Sequence, residues 1–240
     1  MQNLGHTRSS YQRDHLLLTP DTFIRAPLPG MNNATAIVHV APAAGAAFTQ
    51  YTVELNPQGS FQLGDHQAFL YVLDGAVTAF GKALTHGQYA YLPPGAQEAI
   101  AAEKFARVAV IEKPFDGFEA TAPAAFTGDE RNIELKPLLG DDALGVRTLI
   151  PDNPAFDFAV NTMLYQPGAS LPMVEIHVME HGLLMLEGEG IYRLNDHWYP
   201  VTAGDFIYMA PYCPQWFCAL GKKPAKYLIY KDWNRHPFSA

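Results

Sequence analysis

Short runs of alternating or continuous apolar residues, broken by glycine and proline, recur along the chain. Ala36-Ile-Val-His-Val40 and Phe48-Thr-Gln-Tyr-Thr-Val-Glu-Leu55 predict two early strands, at 34–40 and 47–55, the second alternating as a half-buried strand does. Met173-Val-Glu-Ile-His-Val178 and Gly190-Ile-Tyr-Arg-Leu194 predict short strands further on, with turn residues between them. Near the start, Leu16-Leu-Leu-Thr-Pro20 reads as an apolar arm packing on a neighbour rather than as a helix. The pattern also repeats. Phe69-Leu-Tyr-Val-Leu-Asp-Gly75 matches Gly182-Leu-Leu-Met-Leu-Glu-Gly188, and Gly87-Gln-Tyr-Ala-Tyr-Leu-Pro-Pro94 matches Gly204-Asp-Phe-Ile-Tyr-Met-Ala-Pro211. The second pair of segments lies four residues further apart than the first, which predicts a longer hairpin in the second copy.

Chemistry-bearing residues gather in that second copy. In extended chain Glu175, His177 and, if parity survives the turn, His181 share a face, and Gln215 closes the following segment. His177 and His181 are also spaced for one face of a helix, but Pro172, Gly182, Gly188 and Gly190 crowd the segment and argue against one. Each of the four taken alone reads as an ordinary polar residue; as a set they read as metal ligands. Two imidazoles, a carboxylate and an amide oxygen suit Mn, Fe, Ni or Zn with open coordination positions. A neutral fourth ligand leaves such an ion electrophilic, which favours Lewis-acid work over redox chemistry. On the last strand Tyr227 and Lys231 share parity with Ile229, so an ammonium is expected in an apolar interior, where it needs an anionic partner. Glu180, Glu187, Glu189 and Asp205 read as turn residues near the mouth.

Carried back to the first copy, the ligand positions fall on Gln62, Gly64, Ala68 and Glu98, two of which have no ligating side chain. The first copy is therefore expected to be a degenerate barrel without metal. Residues 116–132, rich in small and turn residues, read as a linker, which gives an N-terminal barrel with its arm at 1–115 and a metal-binding barrel at 133–240.

Composition narrows the partners. With 48% hydrophobic residues, 17% charged residues, 19 glycines and 19 prolines, the chain suits a compact all-β protein with many tight turns. A net charge of -8 disfavours nucleic acid and anionic membrane, while a metal and a local lysine still admit a small anionic substrate. Cys213 and Cys218 read as reduced packing residues, the start of the chain does not resemble a signal peptide, and no apolar run approaches the ~18 residues of a membrane span. A cytoplasmic address follows.

These residues resemble a known pattern. Gly168, Glu175, His177, His181 and Gly188, followed by Gly204, Pro211 and Gln215, are similar to the two cupin motifs, with Glu, His and Gln permuted among the ligand positions. That permuted set, with Tyr192, Pro214-Gln-Trp216 and the tail Tyr227-Leu-Ile-Tyr-Lys231, resembles the bicupin (S)-ureidoglycine aminohydrolases of purine degradation. The resemblance implies two tandem jelly-roll cupin barrels in a homo-oligomer, with Mn2+ on Glu175, His177, His181 and Gln215. It further implies substrate contacts from Glu175, Tyr192, Gln215, Tyr227 and Lys231, with Glu175 and Lys231 catalytic, and release of ammonia from (S)-ureidoglycine. A different metal-dependent bicupin enzyme, an isomerase or dioxygenase, and a non-catalytic small-molecule-binding cupin are the alternatives, since a fold does not fix a reaction.

Overall fold

The computed structural model describes residues 5–118 and 121–235, and extended chain dominates them: twenty strands, three one-turn 3-10 helices and no α-helix among these residues. The fold is all-β, and every strand pairing is antiparallel. Two compact units divide the chain, one of Met1–Phe23, Glu134–Leu149 and Phe158–Trp233, the other of Ile24–Ile133, Ile150–Asp157 and Asn234–Ala240.

In the first unit an eight-stranded sheet faces a three-stranded one. The central strands of the larger sheet are Phe206–Met209, His181–Glu187, Ala225–Asp232, Phe158–Tyr165 and Asp141–Thr148; the smaller sheet holds His197–Thr202, Glu189–Leu194 and Gln215–Leu220. Period-two alternation sends Leu183, Met185, Ile207, Tyr227 and Ile229 from the larger sheet, and Tyr192, Leu194 and Phe217 from the smaller, into one shared core. The second unit is a single curled nine-stranded sheet whose interior is filled by Val53, Leu55, Phe61, Leu70, Val72, Val108 and Val110.

The repeat is visible in the backbone. Gly188 stands at φ +74 with the Pro224 carbonyl and Ala225 where a side chain would be; Gly75, at φ +70, meets Phe105 and Ala106 in the same way. Only glycine meets both demands, the left-handed backbone and the close approach. The hairpin after each glycine pairs Ala76–Ala79 with Lys82–Thr85 in one unit and Glu189–Leu194 with His197–Thr202 in the other, two residues longer on each arm.

Three sequence expectations change. The arm joins its own chain: His15–Leu18 adds a strand beside Phe206–Met209, and Leu17 enters that core. It thus groups with the C-terminal barrel instead of the N-terminal one. Part of the expected linker is also built into a sheet, because Phe126–Asp129 pairs with Gln88–Leu92 and Phe126 stacks on Tyr91 at 5.5 Å; an aromatic that can be covered holds its segment down. Finally, 173–178 forms no strand ladder. Glu175 alone bridges, to Gln215, and regular pairing resumes only at His181.

Candidate metal and substrate site

The bridge between Glu175 and Gln215 sets the site. Each backbone N–H donates to the other residue's carbonyl at 2.9 Å, so the two side chains leave on one face. From there the chain keeps its alternation without a ladder: Glu175 and His177 are half-buried while Val174, Ile176 and Val178 are exposed. Tyr212 N–H donates to the His177 carbonyl at 2.6 Å and fastens this segment to the turn before Gln215. His177 Nε2 lies 3.2 Å from Glu175 Oε2, and the His177 and His181 rings stand 5.3 Å apart at 64°. The structure therefore brings Glu175 beside His177 and Gln215, and the His177 ring beside that of His181, while the ligand atoms of Glu175, His177 and His181 do not all lie within 4.8 Å of one another.

His181 carries the most telling detail. It is buried, and its Nδ1 has no side-chain partner among the described residues. Burial first, then the charges of Lys231 and His177, push its pKa down to about 3, so the imidazole is neutral, the form that ligates metal. The backbone at Glu180 and Tyr230 partly opposes that shift by hydrogen bonding to the ring. Gln215 is buried too, and Tyr192 O–H donates to its Oε1 at 3.1 Å, which fixes the amide with its oxygen oriented and one lone pair left. Two imidazoles, a carboxylate and an oriented amide oxygen fit a divalent cation.

Lys231 pairs in register with His181 across adjacent strands, and Tyr227 and Ile229 of the same parity lie in the core. Burial lowers the Lys231 pKa and the Glu175 carboxylate counteracts it. Tyr227 and Tyr192 are fully buried, with pKa values raised well above the ordinary range, chiefly by burial. The two of them, with Lys231, thus present neutral hydroxyls and one ammonium to the same interior as the ligand set.

Three features lay outside the sequence reading. Tyr165 pairs its hydroxyl with that of Tyr227 at 2.7 Å. Glu180, expected at the mouth, is instead buried, accepting from Tyr208 O–H at 3.2 Å while its own N–H donates to Asp232. Asp205, also expected there, is fully buried and clamped by both terminal nitrogens of Arg8, at 2.6 and 2.9 Å, and by Thr202 N–H.

Among the described residues, the His, Cys, Asp and Glu side chains whose ligand-type atoms all lie within 4.8 Å of one another are those of Asp14, His15 and Cys213, and this group is of a different kind. His15 already uses both ring nitrogens, on Asp14 at 2.8 Å and on Tyr199 at 2.9 Å, Asn195 donates to Asp14 at 2.7 Å, and burial pushes the Cys213 thiol up to about 12. Its polar atoms are spent on one another, and it reads as the anchor of the arm.

Comparison with known proteins identifies the family and the fold. A cupin domain model matches residues 161–230, which span most of the core strands named above. The (S)-ureidoglycine aminohydrolase of Arabidopsis thaliana is 40% identical over 242 aligned residues, covering 97% of this chain and 80% of that relative. The chain belongs to the (S)-ureidoglycine aminohydrolase family. The family member of Escherichia coli (strain K12) is 33% identical, over 91% of this chain and 88% of its own. Among solved structures, a putative glyoxylate-induced protein from Pseudomonas aeruginosa superimposes with a TM-score of 0.88 at 31% identity, covering 98% of this chain and 94% of that one. Oxalate decarboxylase of Bacillus subtilis, at 12% identity and a TM-score of 0.71 over 95% of this chain and 79% of its own, shares the aminohydrolase family's fold alone.

Proposed function

We propose that this protein is a metal-dependent aminohydrolase that converts (S)-ureidoglycine and water to (S)-ureidoglycolate and ammonia. The observation that carries the reading is the cross-strand row in which a neutral His181 stands beside a half-buried Lys231 that has no hydrogen-bonded carboxylate among the described residues. A ligand-competent imidazole and an anion-seeking ammonium on one face call for a small substrate bearing both an amine and a carboxylate, as ureidoglycine does. Glu175, His177, His181 and Gln215 would hold the metal, with Mn2+ favoured by the family resemblance. When bound, the ion supplies Lewis-acid polarisation of the substrate's amino and carboxylate groups.

The chain's own residues do the rest. Lys231 and Tyr227 fix the substrate carboxylate, and Tyr192 keeps the Gln215 oxygen aimed at the site. The carbon–nitrogen bond to the amino group breaks, a water oxygen takes its place, and Glu175 carries the proton that leaves with ammonia. The protein is further read as a cytoplasmic homo-oligomer; exposed Ile176, Val178 and Tyr212 around the mouth supply apolar surface for subunit contact.

Ammonia release from fresh ureidoglycine with Mn2+ present tests the reading. Lys231→Met keeps bulk and removes the charge, so turnover should fall by ~10²-fold or more while the melting temperature of the metal-free protein holds or rises. Unchanged turnover with a lowered melting temperature would make Lys231 structural. A wild-type protein that releases no ammonia would sink the assignment in favour of another bicupin activity.

A further inference from the structure

We infer that Tyr165 is a positioning residue: it donates its hydroxyl proton to Tyr227, so that the Tyr227 proton faces the substrate's carboxylate oxygen. The inference rests on the reading of Tyr227 as a substrate contact. Its basis is a count of hydrogens. The two hydroxyls carry two protons and spend one on their 2.7 Å mutual bond, and no other residue among those described hydrogen-bonds to either. One O–H therefore remains where both residues are almost wholly inaccessible, and a buried donor requires an acceptor. Burial is the main force holding both hydroxyls protonated; their mutual hydrogen bond lowers the Tyr165 pKa and raises that of Tyr227, and both remain above the ordinary range, so neither is lost as a donor near neutral pH.

Register decides which hydroxyl faces the ligand. Along the last strand Ala225, Tyr227, Ile229 and Lys231 step toward His181, which is paired with Lys231. Tyr165 is paired with Ala225, one step further from His181 than Tyr227. Tyr165 thus stands behind and Tyr227 in front. The Tyr165 ring is held edge-on against Phe217 at 4.8 Å and beside the Tyr227 ring at 5.5 Å, which leaves it little freedom to turn. With Tyr165 as donor, Tyr227 accepts behind and donates in front; without it, the Tyr227 proton has no fixed direction.

The test is a double-mutant cycle of Tyr165→Phe and Tyr227→Phe on the full chain loaded with Mn2+. Two readouts apply: KM and kcat for ammonia release, and the Kd of hydantoate, a ureido-carboxylate that lacks the leaving amine, measured by calorimetry. Tyr165→Phe should raise KM and the hydantoate Kd about tenfold, with kcat changed less than about twofold, and the double variant should be no worse than Tyr227→Phe alone. Far-UV spectra and metal content matching wild type establish that each variant is folded. Unchanged KM and Kd in Tyr165→Phe, or penalties that add, would overturn the inference while the wild-type turnover leaves the assigned reaction standing. Hydantoate bound without any turnover of ureidoglycine would fail the reaction alone, and the Kd cycle still decides on Tyr165. A wild type that neither binds hydantoate nor releases ammonia overturns both.

Discussion

Among the proposed metal ligands, Gln215 and His181 are both buried but differ in how they are held. Gln215 is fixed at its backbone by the Glu175 bridge and at its amide oxygen by Tyr192, whereas the Nδ1 of the buried His181 ring has no side-chain partner among the described residues. A neutral amide oxygen also gives less to a divalent cation than an imidazole. Gln215→Ala should therefore weaken metal binding less than His181→Ala in a chelator competition titration; the reverse order would mean that the Gln215 amide, and not the His181 imidazole, is the stronger contributor and that the ranking drawn from burial and partners is wrong. These positions were legible because alternation of side chains is a local property. It survives at Glu175 and His177 although the expected strand does not form there. Tyr165 was not legible, since its hydroxyl meets Tyr227 only through the register of two strands 62 residues apart. Glu180 was misread for the same reason: its partners Tyr208 and Asp232 lie 28 and 52 residues away.

At the level of elements, the N-terminal arm shows how much a four-residue strand depends on distant chain. Leu16-Leu-Leu announces burial but not against what; the answer is the free edge of Phe206–Met209, reached some 190 residues later. Arg8 clamps buried Asp205, Leu17 fills the core, and His15 sits between Asp14 and Tyr199. Burial is the largest influence on His15 and lowers its pKa, opposed by Asp14 and reinforced by His197. The sign of the linkage follows. With the folded pKa below the unfolded ~6.5, the unfolded arm binds the proton first, so docking is fully stable above ~6.5 and weakens as pH falls below it. Hydrogen exchange at the amides of residues 15–18 should accordingly show less protection at pH 5 than at pH 7.5, after correction for intrinsic exchange, and His15→Phe should flatten that difference. Equal protection at both pH values in the wild type would show that His15 does not gate the arm. The strand Phe126–Asp129, placed in a linker by its small and polar neighbours, was hidden in the same manner, its pairing partner lying some forty residues back.

Across the whole chain, two copies of one architecture have been given different interiors. The repeat was legible because the glycines after the paired strands, Gly75 and Gly188, answer the same steric demand in both. What fills each barrel follows from the positions matched to the ligand set. In the first copy Ala68 stands opposite Glu112 as His181 stands opposite Lys231, so a carboxylate replaces the ammonium and a methyl group replaces the imidazole. That carboxylate is already satisfied, since Tyr51 O–H and Gly64 N–H both donate to it, and Glu98 accepts from Phe80 N–H. Around them Val53, Leu70, Val72, Val108 and Val110 close the interior with apolar side chains. A carboxylate bonded in this way gains little from a cation and has no imidazole beside it to share one. Metal analysis of purified protein should therefore give close to one equivalent per chain, and Glu112→Gln should leave that value unchanged. His177→Ala combined with His181→Ala should abolish it. A full equivalent retained in that double variant, or a second equivalent lost in Glu112→Gln, would place a metal in the N-terminal unit and contradict the division of labour between the copies.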